Sequence, residues 1–169
     1  MKNLMGAYKS KGWLGLVLNV VTVWLVLGAS LLMLVQMGSG FGAPLPGGPQ
    51  DAPWTPPGAF IGAMWVVLYT LMGASLWLLN RAPESTSGSP RRAVLFLIGF
   101  CIVWPFYAFD TPNRWPGLLG NLGILVIAVF ATWRLWPLSR AAALMIAPVA
   151  IWITIATASI LDSGRRFGW

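Results

Sequence analysis

The sequence predicts an all-α integral membrane protein, a single domain over residues 1–169 built as a five-transmembrane-helix bundle. Three observations carry this. The chain is 57% hydrophobic and only 9% charged, whereas soluble domains carry roughly 25% charged residues. Five apolar runs, at about 13–37, 58–79, 93–109, 116–136 and 141–161, approach or exceed the roughly 20 residues that cross a bilayer. The charged residues fall in the short segments between those runs, as orientation signals and headgroup contacts do.

The first run follows Lys2, Lys9 and Lys11. At 25 residues it exceeds the 7–15-residue core of a signal peptide, so it is expected to be an uncleaved span. Asn19, Thr22 and Ser30 on it are expected to face other helices. Residues 38–57 form a long Gly/Pro segment with one charge, Asp51, a composition and length suited to a lid over a pocket. Pro53, Pro56 and Pro57 stiffen its end. Proline has a fixed φ and no N–H, which suits an extended approach and then a first helical turn.

The second run, 58–79, is uncharged and rich in large rings, with Trp65 and Tyr69 one turn apart. Such a pair can offer a flat wall to a flat ligand; bundle packing and interfacial anchoring are the plainer reading of each ring. Residues 80–92 are then a polar loop with three arginines, and Pro105 and Pro148 are expected to bend the third and fifth spans. A polar tail begins at Asp162.

Five spans put the termini on opposite sides. Lys2, Lys9, Lys11, Arg81, Arg91, Arg92, Arg134 and Arg140 share the side of the N-terminus, against Arg114, Arg165 and Arg166 on the other. This eight-to-three split predicts a cytoplasmic N-terminus, with the long segment and the C-terminus outside. Trp65, Trp104 and Trp152 then lie at similar depth, roughly 9–15 Å below the outer face at about 1.5 Å per residue. Trp13, Trp77, Trp115, Trp133 and Trp136 fall near span ends and read as the interfacial belt.

The residue inventory narrows the chemistry. There is no histidine, which removes imidazole as metal ligand, haem axial ligand or neutral-pH base. The single cysteine, Cys101, lies in an apolar run and reads as an inert buried thiol. The spans hold almost no ionisable group, unlike ion-coupled carriers. No metal cluster, phosphate loop or Ser/His/Asp set is visible, and no internal repeat. The net charge of +7 is spread over short loops and does not point to nucleic acid.

Trp54-x-Pro56-Pro57 followed by Trp65-x-x-Leu68-Tyr69-x-x-Met72-Gly73 resembles the translocator protein / tryptophan-rich sensory protein family, which includes the peripheral-type benzodiazepine receptor. Its second-helix pattern is WxPPxWxxxxxWxxLYxxMG. Trp104 resembles the tryptophan of the family's third-helix NxxW, and Pro148, Trp152 and Ala156 resemble its fifth-helix PYxxWxxxA. The resemblance covers the chain from residue 53 onward and implies a diverged bacterial-type member, in the bacterial cytoplasmic membrane. It implies a five-helix bundle, a homodimer, and an internal pocket for porphyrins, haem-like tetrapyrroles or aromatic drugs, with no required cofactor. By matching, Trp65, Tyr69, Trp104, Trp152 and Ala156 would line the pocket, Cys101 would stand at the family's asparagine, and Trp54 would sit in the lid. Ala59, Val149 and Ile160 replace a family aromatic, tyrosine and asparagine, so the implied pocket is drier. The fifth helix has no tyrosine, so the proposed cholesterol pattern is not carried over.

Three functions follow as expectations. The leading one is a non-enzymatic membrane binding protein for a flat hydrophobic ligand, above all a porphyrin, with a sensory, regulatory or transport-linked role. The second is tetrapyrrole degradation by redox or light-driven chemistry at pocket tryptophans, with little acid–base help available. The third is a structural or partner-binding protein that kept the fold without the ligand.

Overall fold

The computed structural model describes residues 7–37, 54–108 and 115–167. Five helices form the bundle: α1 Trp13–Gln36, α2 Gly58–Leu79, α3 Glu84–Ala108, α4 Trp115–Leu135 and α5 Arg140–Phe167. All five are long and apolar enough to cross a membrane. The lid prediction for residues 38–53, including Pro53, lies outside the described residues.

Two helix ends differ from the sequence expectation. Residues 84–92, expected as loop, are the first turns of α3, and α5 continues through the expected tail to Phe167. Hydropathy marks where a helix leaves the hydrocarbon, not where its backbone bonding stops. At the start of α3, the Thr86 and Ser87 amides donate to the Pro83 carbonyl at 3.1 and 3.0 Å, so the turn forms on polar residues. Pro90 falls early in this helix, and Pro105 and Pro148 lie inside unbroken α3 and α5.

Helices α2, α5, α4 and α3 pack in that order around one core, and α1 lies against α2 and α3. The core is filled by Leu68, Met72 and Leu76 of α2, Leu97 of α3, Ile124 of α4, and Ile146, Val149 and Ile153 of α5. In a bilayer, association comes from close packing and interhelical hydrogen bonds, since lipid is as apolar as leucine. Small residues supply the close packing. A Cβ on Gly73 would stand 2.9 Å from Val20 Cα, which marks the α1–α2 crossing. A Cβ on Gly120 would stand 2.3 Å from the Tyr107 hydroxyl and 2.4 Å from the Trp104 ring, which marks the α3–α4 crossing. Hydrogen bonds cross the seams: Trp24 Nε1 to Thr70 Oγ1 at 3.1 Å, and Ser75 Oγ to the Ala142 carbonyl at 3.1 Å.

Of Asn19, Thr22 and Ser30 on α1, only Asn19 is buried in the bundle. It is fully buried and its Nδ2 donates to the carbonyls of Tyr8 and Gly15 at 3.0 and 2.7 Å. Thr22 and Ser30 instead bond back to Leu18 and Leu27 of their own helix, which satisfies a hydroxyl without a partner helix. The Tyr8 carbonyl also accepts from Asn80 Nδ2 at 3.1 Å, and Arg91 donates to Asn80 Oδ1. These bonds fasten the segment before α1 onto the bundle end where α2 finishes.

Candidate functional site

The opposite end of the bundle holds the residues singled out from sequence. Trp152, Ala156, Ser159 and Asp162 are spaced three and four apart on α5, which puts them on one helical stripe. Trp152 is 7% exposed, and its ring centroid lies 6.2 Å from that of Phe60 in the first turn of α2, tilted by 53°. Above it, Thr55 and Ser159 share a hydroxyl–hydroxyl hydrogen bond. At the top, the Trp54 indole N–H donates to Asp162 Oδ2 at 2.9 Å. Residues 54–57 are therefore fixed to the outer turns of α5. Pro56 and Pro57 then start α2, whose first bonds run from the Phe60 and Ile61 amides to the Pro57 carbonyl at 2.9 and 3.1 Å.

On α2, the Trp65 and Tyr69 centroids are 5.7 Å apart, and Tyr69 is buried while Trp65 is half-buried. Cys101 is buried in the same core as Tyr69, Met72 and Trp152. It is a free thiol. Trp104 is turned onto α4: its Nε1 donates to the Gly117 carbonyl at 3.1 Å and its ring covers Gly120. The structure thus joins Trp65 with Tyr69 and Trp152 with Phe60, and it commits the Trp104 indole to the α3–α4 seam.

Four groups beyond the expected site residues lie on these helices. Phe60 is one of several large rings along the second run, and its position in the first turn of α2 is what brings it to Trp152. Asp162 falls just past the apolar run and so belongs to the expected polar tail, but it lies on α5. The other two are Asn121 on α4 and Thr157 on α5, 1% and 9% exposed. Asn121 Nδ2 and Thr157 Oγ1 are buried with no hydrogen-bond partner among the described residues. Other span hydroxyls are satisfied within the bundle: Thr154 bonds back to the Ala150 carbonyl at 2.8 Å, and Ser75 bonds across to α5. An unpaired buried donor costs about 1–3 kcal/mol, so these two atoms are poised for a polar partner.

Among the described residues no group of three or more His, Cys, Asp or Glu side chains could hold a metal ion.

The fold and this end of it define a multi-pass helical membrane protein whose second and fifth helices carry paired aromatic rings beneath a Trp-Pro-Pro segment. Residues 48–162 match the TspO/MBR family, and the chain belongs to it. It is a membrane binding or sensory protein of the TspO type. It is 31% identical to "Translocator protein 2" of Mus musculus over 113 residues, 64% of this chain and 70% of the relative. It is 28% identical to "Translocator protein 2" of Canis lupus familiaris over 116 residues, covering 66% and 67%.

Proposed function

We propose that this protein binds a flat hydrophobic ligand, a porphyrin or related tetrapyrrole, between α2 and α5 beneath the Trp54–Pro57 segment, and that it acts as a binding or sensory protein without catalysing a reaction. The observation that carries this is the α5 stripe. Trp152 contacts Phe60 of α2, and the same stripe is hydrogen-bonded through Ser159 and Asp162 to the segment above. A ring system sliding between Trp65, Tyr69 and Trp152 would gain stacking. Asn121 and Thr157 offer buried hydrogen-bonding atoms to a polar edge of the ligand, a capacity the drier pocket read from sequence had lacked. The Trp54–Asp162 bond must open for the ligand to pass.

The test is tryptophan fluorescence quenching by protoporphyrin in nanodiscs. Saturable quenching that Trp152→Leu weakens supports the reading, and quenching that rises linearly without saturation refutes it. Illumination with product analysis separates binding from degradation, because a binding protein returns the porphyrin unchanged.

The homodimer belongs to the same proposal. The glycines of α4 are used inside the bundle, against Trp104, Tyr107 and Phe100. On α3 a Cβ at Gly99 would meet nothing within 4 Å, so that face is open to a second copy.

A further inference from the structure

Two open grooves lie on the lipid-facing surface at the end of the bundle where α4 finishes. One, of about 730 Å³, runs between α4 and α5 and is lined by Val129, Trp133, Arg134, Trp136, Ala147 and Ile151. The other, of about 530 Å³, runs between α3 and α4 and is lined by Ser89, Arg92, Phe96, Val126 and Phe130. Helix α4 is the ridge between them, topped by the Phe130 and Trp133 rings at 6.1 Å.

One side chain links the two. Arg134 borders the first groove, holds its guanidinium 6.0 Å from the Phe130 ring centroid, and donates to Ser89 Oγ in the wall of the second at 2.9 Å. Arg92 is one turn along α3 from Ser89, and both arginines are exposed. Each groove is therefore apolar along its length and cationic at the same end. The segments at this end hold Arg81, Arg91, Arg92, Arg134 and Arg140 against Glu84 alone.

We infer that α4 is a saddle for one anionic phospholipid, an acyl chain in each groove and the phosphate facing Arg92 and Arg134. Acyl chains fill any lipid-facing groove, so the apolar walls confer no selectivity. Selectivity comes from the two guanidiniums, which match a phosphate's geometry and hold their charge. Arg134 is positioned in advance by Phe130 and Ser89, which lowers the cost of ordering it around a headgroup. Trp133 and Trp136 stand at the end of α4, and indole rings at span ends favour the headgroup region. Basic pockets between membrane helices are a recurring way to hold acidic lipid headgroups.

The test is native mass spectrometry of the full chain released from micelles containing equal phosphatidylglycerol and phosphatidylcholine. The wild type should retain one phosphatidylglycerol in clear preference. Arg134→Gln and Arg92→Gln should each lower that preference about fivefold, and Arg134→Lys should keep part of it. Arg81→Gln removes the same charge at the same end, where its guanidinium lies 4.2 Å from the Trp77 ring centroid, away from both grooves; it should change nothing. Equal retention of the two lipids by the wild type overturns the inference and needs no variant. An equal loss in Arg81→Gln also overturns it, since the preference would then be diffuse charge. So would a dimer free of lipid, with a second copy covering the grooves.

Discussion

The Trp54 indole N–H and the Asp162 carboxylate meet at 2.9 Å across 108 positions of sequence. The bond ties the lead-in of the second helix to the last turns of the fifth, and with Thr55–Ser159 it closes the bundle above the Phe60–Trp152 pair. Removing it should loosen that closure. Asp162→Ala is expected to release protoporphyrin about fivefold faster, from roughly 1 kcal/mol for a hydrogen bond that is partly open to solvent. Stopped-flow recovery of tryptophan emission reads the rate; a rate equal to wild type means that the segment does not gate the site.

Trp152→Leu should weaken porphyrin binding about 2–10-fold, because stacking contributes roughly 0.5–1.5 kcal/mol per ring. Ala156→Thr, one turn away on the same stripe, should weaken it too by adding a branched group. Trp133→Leu, exposed at the other end of the bundle, should leave affinity unchanged. Equal losses in Trp133→Leu and Trp152→Leu would show the rings acting through general stability.

Asn121 makes an unusual pair of predictions with opposite signs. Asn121→Leu removes a buried donor that has no partner among the described residues, and should stabilise the ligand-free protein by about 1 kcal/mol. The same change should lower porphyrin affinity several-fold. Thermal unfolding with and without porphyrin reads both. A variant that is destabilised and binds normally would remove Asn121 from the site.

Gly120→Val should destabilise the bundle by about 1–3 kcal/mol through overpacking. The ring it would strike is fixed in place, since Trp104 Nε1 is bonded to the Gly117 carbonyl. Gly99→Ala meets open space and should be neutral in the monomer. Unfolding midpoints in detergent compare the two; equal midpoints would mean that the α3–α4 crossing is looser than described.

A reporter fused after Trp169 should be active outside the cytoplasm, from the eight-to-three division of basic residues. Activity in the cytoplasm would invert the orientation and place the aromatic end on the inner side.

The sequence by itself determined the class and the number of helices, and it marked Trp54, Trp65, Tyr69 and Trp152 as candidates for the site. A bilayer forces backbone groups to pair within each span, so length and hydropathy suffice to count helices, and the Trp-Pro-Pro start of α2 is local chemistry. Helix ends were less legible. Polar first turns of α3 and last turns of α5 stay helical outside the hydrocarbon, where hydropathy carries no signal. Only the tertiary structure decided what each ring touches. Three tryptophans lie at one depth, but only packing decided that the Trp104 indole bonds to the Gly117 carbonyl and covers Gly120 while its ring borders the core that holds Tyr69 and Trp152. Phe60, Asp162, Asn121 and Thr157 acquire meaning only from neighbours on other helices. Depth along a helix is a property of one chain segment; rotation about its axis is set by packing against the others.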